Sequence, residues 1–154
     1  MGFIKECYAV YKAMKDINRS WAVAGGWAID LFLGRATREH HDIEILIFRQ
    51  DQVNLREYLQ GWDFRKVVAG EVKPWSPGEW LELPIHETYA EKSDQKIEIL
   101  LNEFDGANWV YRRDKRIHMN YINVVSQMNS EQKDWLQNSL TVIYGRHPWV
   151  EKLT

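Results

Sequence analysis

The chain has a single cysteine, Cys7, among 154 residues, so no intrachain disulfide can form and a reducing, cytoplasmic setting is expected. It has almost no net charge: 20 lysines and arginines stand against 22 aspartates and glutamates. That balance gives no ground for bulk binding to nucleic acid. It has no run of about 18 apolar residues, so no membrane span is expected. Charges at Lys5, Glu6, Lys12 and Lys15 interrupt the apolar stretch that a signal peptide would need. The opening Met1-Gly2-Phe3-Ile4-Lys5-Glu6 lacks the serine or threonine of a myristoylation site. Internal repeats and low-complexity tracts are absent too. What is left is an ordinary globular composition, 45% hydrophobic and 27% charged, long enough for one domain over 1–154 with its own core.

Tryptophan is the residue in excess, with eight copies. Large side chains filling a small core account for them. The alternative is that some line a ligand cleft, and those left on the surface would mark a homodimer interface.

Periodicity divides the chain. Ile4, Tyr8, Tyr11 and Met14 recur at helical spacing over 3–16. Trp21-Ala22-Val23-Ala24 is a short strand ended by Gly25-Gly26, and residues 27–33 suit a helix that stops at Gly34. Residues 42–48 are rich in β-branched side chains and read as a strand. Asp51 is placed to cap a helix over 52–60, with Val53, Leu55, Tyr58 and Leu59 as its apolar face and Gly61 as its end. A strand is expected over 62–68 and a Pro/Gly-rich loop over 70–80. Strands at 86–90 and 96–101 flank the polar turn Lys92-Ser93-Asp94-Gln95, a hairpin signal, and a second hairpin is centred on Arg113-Asp114-Lys115. A capped helix over 131–144 lies in the closing segment 129–145 and ends at Gly145. The sum is an α+β fold with a small mixed sheet flanked by helices.

Two short motifs carry chemistry. In Asp42-Ile43-Glu44, period two sends both carboxylates to one face of a strand and the isoleucines to the other. Two neighbouring anions repel unless a cation lies between them, and carboxylate oxygens suit Mg²⁺, which takes its other ligands from water and substrate phosphates. A solvated strand face would carry the same two acids. Gly25-Gly26, between a strand and a helix, lets backbone N–H groups approach a phosphate where the helix N-terminus favours an anion. A plain turn would also use two glycines. Their order is the stronger signal: strand, glycine pair, helix, basic loop, acidic strand.

The segment Gly25-Gly26-Trp27-Ala28-Ile29-Asp30, followed by Gly34-Arg35 and Arg38-Glu39-His40-His41-Asp42-Ile43-Glu44, resembles the signature of small aminoglycoside and lincosamide nucleotidyltransferases. In that family a GGW-x-x-D helix leads to an R-E-H-x-D-[IL]-[DE] strand. The resemblance extends through Pro74-Trp75-Ser76-Pro77-Gly78-Glu79-Trp80 and Trp109-Val110-Tyr111-Arg112-Arg113-Asp114, and resumes at Gly145-Arg146-His147-Pro148-Trp149. It implies a nucleotidyltransferase fold. It also implies Mg²⁺-dependent transfer of a nucleoside monophosphate, from ATP or another nucleoside triphosphate, to a hydroxyl of a small, often cationic drug. The family's metal carboxylates fall on Asp42 and Glu44, and its third on Glu98 in Lys96-Ile97-Glu98-Ile99. Glu98 would share a metal or take the acceptor's proton. Gly25 and Gly26 would supply backbone donors to the nucleotide. Arg38 and His40 would contact phosphate or orient the carboxylates. For these last three side chains, a strand-face acid, a surface ion pair and a structural hydrogen bond are the plain alternatives.

Asp30, one helical turn beyond Gly26, is expected to bond back to the 35–41 loop as structural support. Glu79, Glu82, Glu87 and Glu91 make the middle of the chain acidic, which suits either a polycationic acceptor or a solvated sheet face. Three features depart from the family pattern. Glu44 stands where aspartate is commoner. Trp27 stands where the wider superfamily often has serine. After the Arg112–His118 stretch the chain reads as internally shortened before its closing helix. Two alternatives to a drug-modifying enzyme follow: an inactive relative that binds nucleotide or a partner, and a toxin–antitoxin-type nucleotidyltransferase acting on protein or RNA.

Overall fold

The computed structural model describes residues 2–33, 35, 38–110 and 118–119. Strict alternation builds the sheet. Ile43, Ile45 and Ile47 are buried, while Glu44 and Leu46 between them are half-buried. Ile97, Ile99 and Leu101 repeat the pattern around Glu98 and Leu100. The first set lies on and just before β2 (Glu44–Phe48) and the second on β6 (Gln95–Phe104). These two strands pair in parallel, with Glu44 opposite Glu98. Beside β2 runs β1 (Trp21–Ala24), and beside β6 runs β5 (Glu87–Lys92), then β3 (Asp63–Val68) and β4 (Glu71–Pro74). Those further pairings are antiparallel.

One face of this mixed sheet is sealed by the helices. The α1 helix (Gly2–Met14) sends Cys7, Val10 and Met14, spaced three and four apart, into the same buried cluster as Ile45, Ile47, Ile97 and Ile99. From α2 (Gly25–Leu33) comes Trp27, and from α3 (Gln52–Tyr58) and its end come Leu55 and Leu59. Fully burying each aliphatic side chain contributes about 2 kcal/mol. The sheet's other face is only half-covered, and it carries Glu44, Glu98, Glu87 and Tyr89. Tryptophan serves the core at Trp27 and Trp75, while Trp80 is exposed. Among the described residues, no helix is long and apolar enough to cross a membrane.

The expected elements stand, with corrections. The α2 helix begins at Gly25, so both glycines lie in its first turn rather than ahead of it. A 3-10 turn, Arg49–Asp51, precedes α3, and Asp51 makes no capping hydrogen bond. Its carboxylate lies 3.4 Å from Arg19 Nε instead. Val53, placed on the apolar face of that helix, is 50% exposed. The loop expected over 70–80 starts as β4, joined to β3 by Ala69-Gly70. Both turn residues have positive φ, 51° and 81°, the geometry of a tight hairpin reached here without an asparagine or aspartate to signal it. The β5–β6 hairpin turns at Ser93-Asp94 as expected. Strands β7 (Trp109–Val110) and β8 (His118–Met119) pair as the stem of the second hairpin. Its tip and the helix over 131–144 lie outside the described residues.

A buried polar clamp fixes the connection between β4 and β5. The Gln52 amide donates to the Leu81 carbonyl at 3.1 Å and accepts from the Leu81 N–H at 2.7 Å. Arg49 Nη1 donates to that carbonyl at 2.9 Å, and Arg49 Nε to Glu103 at 2.6 Å. In Gln52→Ala the Leu81 carbonyl keeps Arg49, but its buried N–H loses its acceptor. The expected cost is about 1–3 kcal/mol, read as a lower urea midpoint with an unchanged slope. An unaltered midpoint would show that the clamp adds nothing.

Candidate active site

The site forms where β1 turns into α2. Gly25 has φ +65°, a conformation that L side chains rarely adopt. Space forbids a side chain there as well. A Cβ on Gly25 would lie 2.7 Å from Glu44 Cδ and 2.9 Å from Glu44 Oε1. The Glu44 carboxylate thus rests against the first turn of α2, where unpaired backbone N–H groups and the helix dipole favour an anion. Gly26 is hemmed in differently. A Cβ there would meet Arg38 Nη2 and stand 2.8 Å from Cε1 and 3.0 Å from Nδ1 of His40. The glycine pair is therefore a surface on which Glu44, Arg38 and His40 are stacked.

Asp30 holds this arrangement from below. His40 Nε2 donates to Asp30 Oδ2 at 2.5 Å, with the two side chains 4% and 1% exposed. The imidazole lies 4.7 Å from the Trp27 ring. Asp30 thus bonds back to the following loop, as its position one turn beyond Gly26 implies.

The carboxylates come from two strands and a loop. Glu98 N–H donates to the Ile43 carbonyl at 3.1 Å, which sets the β2–β6 register and brings Glu98 beside Glu44. Asp42 stands one residue earlier than Ile43, exposed and outside the strand expected to start with it. The pleat does not set its direction. Correspondingly, the expected cage of three carboxylates is not gathered: among the described residues no three acidic, histidine or cysteine side chains converge closely enough to hold a metal ion. The negative field is nevertheless strong. Burial first, then Glu44, Glu87 and Asp42, push the Glu98 carboxyl up to about 7. Mg²⁺ is commonly held by one or two carboxylates, with phosphates and water as its remaining ligands, and this donor set fits that mode.

Tyr89 was missed from sequence, and Glu87 was expected only as one of four acids in the middle segment. Glu87 adds to the negative field that raises the Glu98 carboxyl, and Tyr89 lies directly opposite Glu98 in the β5–β6 register. The Tyr89 hydroxyl donates to Glu87 Oε1 at 2.5 Å, Lys96 Nζ lies 4.6 Å over its ring, and burial among these acids raises the phenol. Counting back from the Ser93-Asp94 turn would have found both. The remaining acids of the middle segment go elsewhere: Glu79 binds Lys66 and the Ser76 N–H, Glu91 lies 3.9 Å from Lys96, and Glu82 is exposed.

A family model described as aminoglycoside-2''-adenylyltransferase matches residues 6–135. No curated protein matches the sequence. Among solved structures, the chain is similar to the antibiotic-resistance factor ANT(2'')-Ia in its solution structure. The identity is 16%, over 97% of this chain and 86% of that one, with a TM-score of 0.50. It is similar to the lincosamide antibiotic adenylyltransferase LnuA with lincomycin bound, at 13% identity over 90% of this chain and 96% of that one, TM-score 0.50. A crystal structure of ANT(2'')-Ia with adenylyl-2''-tobramycin matches at 17% identity over 99% and 95% of the two chains, TM-score 0.45. At such identities the likeness to the first two speaks for the nucleotidyltransferase fold.

The raised Glu98 carboxyl has a consequence for stability. The folded chain holds this proton more tightly than the unfolded chain, whose carboxyl titrates near 4.5. That stabilisation is complete below 4.5 and is lost as pH climbs through about 7. With a chelator present, the urea midpoint should fall across this window, and Glu98→Gln should flatten the slope. An identical slope in the variant would mean that the carboxyl is not under this pressure.

Proposed function

Because the chain belongs to the aminoglycoside-2''-adenylyltransferase family, we propose that it transfers the adenylyl group of ATP to a hydroxyl of an aminoglycoside-like molecule and releases pyrophosphate. The observation that carries this reading is the meeting of Glu44, Glu98 and Gly25: two register-paired carboxylates, one of them laid on the first turn of a helix.

In the reaction, the acceptor oxygen forms a bond to the α-phosphorus as the bond to the bridging oxygen of pyrophosphate breaks. The hydroxyl proton passes to the carboxylate of Glu98, which stands on the strand next to Glu44. Asp42 and Glu44 would hold Mg²⁺, with phosphate oxygens and water as its other ligands. When bound, that cation neutralises phosphate charge and the departing pyrophosphate. Gly25 and Gly26 open the helix N-terminus, whose N–H groups suit phosphate oxygens, and Arg38 adds positive charge above Gly26. Glu87 extends the acidic surface beyond Glu98 along β5, a complement to the ammonium groups of a cationic acceptor.

Incubation with ATP, Mg²⁺ and a panel of aminoglycosides and lincosamides should give an acceptor carrying one added adenylyl group by mass spectrometry. Asp42→Asn and Glu44→Gln should each lower the rate by at least about a hundredfold while circular dichroism is unchanged. Absence of product across the panel, with no ATP bound at millimolar concentration, would remove the proposal.

A further inference from the structure

Asp30 belongs to none of the groups that would touch ATP or acceptor, yet it is fully buried in α2. A buried carboxylate is costly unless paired, and an apolar residue of similar size would serve the core at least as well. Its partner explains the choice. Asp30 Oδ2 accepts from His40 Nε2 at 2.5 Å, the Trp27 ring lies 4.7 Å from the imidazole, and the opposite ring edge abuts Gly26. Held from three directions, the imidazole has little room to move. Arg38, two residues earlier, is exposed, and its Nη1 donates to the Glu39 carbonyl at 3.0 Å while Nη2 lies over Gly26. A long side chain on an exposed segment loses rotamer and backbone freedom when it is ordered. Anchoring the same segment at His40 removes part of that loss before any ligand arrives.

We propose that Asp30 is a positioning residue for phosphate binding. Through its bond to His40 it presses residues 38–40 onto the first turn of α2, so that the Arg38 guanidinium is already over Gly26 when the triphosphate binds. This rests on the reading that the Gly25–Gly26 turn receives the phosphates. Its specific content is that Arg38 contributes its charge only while the Asp30–His40 bond holds.

A double-mutant cycle tests that dependence, with Mg²⁺–pyrophosphate as the probe and calorimetry as the readout. Arg38→Ala should weaken binding about tenfold, the usual worth of one charged hydrogen-bond donor. Asp30→Leu, which removes the acceptor, should weaken it by a similar factor. The double variant should be no worse than about tenfold, because the second change removes a contribution already lost. Losses that multiply to about a hundredfold would overturn the proposal, since general loosening of the fold acts independently of Arg38. Asp30→Leu binding like wild type would overturn it as well. If Asp30→Leu does not fold, His40→Phe removes the donor while keeping a ring in its place and enters the same cycle, with the same outcomes deciding. Wild-type protein that fails to bind Mg²⁺–pyrophosphate would remove the phosphate-site reading itself, a result separate from an additive cycle in protein that binds.

Discussion

Glu44 and Glu98 face each other across the parallel pairing of β2 and β6, and a sheet does not place two acids side by side without a cost. The register that brings them together is enforced from the opposite face. Ile43, Ile45, Ile47, Ile97, Ile99 and Leu101 are all buried, and a slip of one residue would turn an entire row of them outward. The apolar side of the sheet thus holds like charges together on the polar side. Repulsion that the fold cannot relieve by sliding strands remains available to whatever cation or proton reaches the site.

Two loops are tied down by the same device. Asp30 on α2 holds His40, and Gln52 on α3 holds both backbone groups of Leu81. In each case a buried polar side chain on a helix must find its partner, and that need fixes a segment lacking regular structure of its own. The first tie shapes the surroundings of the glycine pair. The second secures the segment running toward β5, the strand that brings Glu87 and Tyr89 to Glu98.

Glycine is required at Gly25 and Gly26 for reasons that differ between neighbours. Gly25 needs a positive φ and also makes way for the Glu44 carboxylate. At Gly26 the obstacles are Arg38 and His40, and only the arginine end is free to swing aside, because His40 is bonded to Asp30. A motif that reads as a turn in sequence is, in three dimensions, a platform for three side chains.

Much of this was open to reading in the chain itself. The alternation through 43–47, the strand at 21–24, the hairpin at Ser93-Asp94 and the association of Gly25-Gly26 with Asp42-x-Glu44 rest on local rules of period and turn chemistry. The Ala69-Gly70 hairpin escaped because its turn residues carry no strong signal, and the start of α2 escaped because glycine is a poor helix former seldom expected in a first turn. Tyr89, and the placing of Glu87 near Glu98, were hidden because they depend on pairing with β6, not on their own neighbours. Sequence alone determined which residues could carry charge, which face each strand would bury and where the chain would turn, because these depend on side-chain chemistry within a few residues. Only the tertiary structure decided that Glu98 should stand by Glu44, that Asp30 should grip His40 and that Asp42 should fall outside the pleat. Those outcomes depend on strand order and long-range packing, where contacts between distant residues outweigh any local preference.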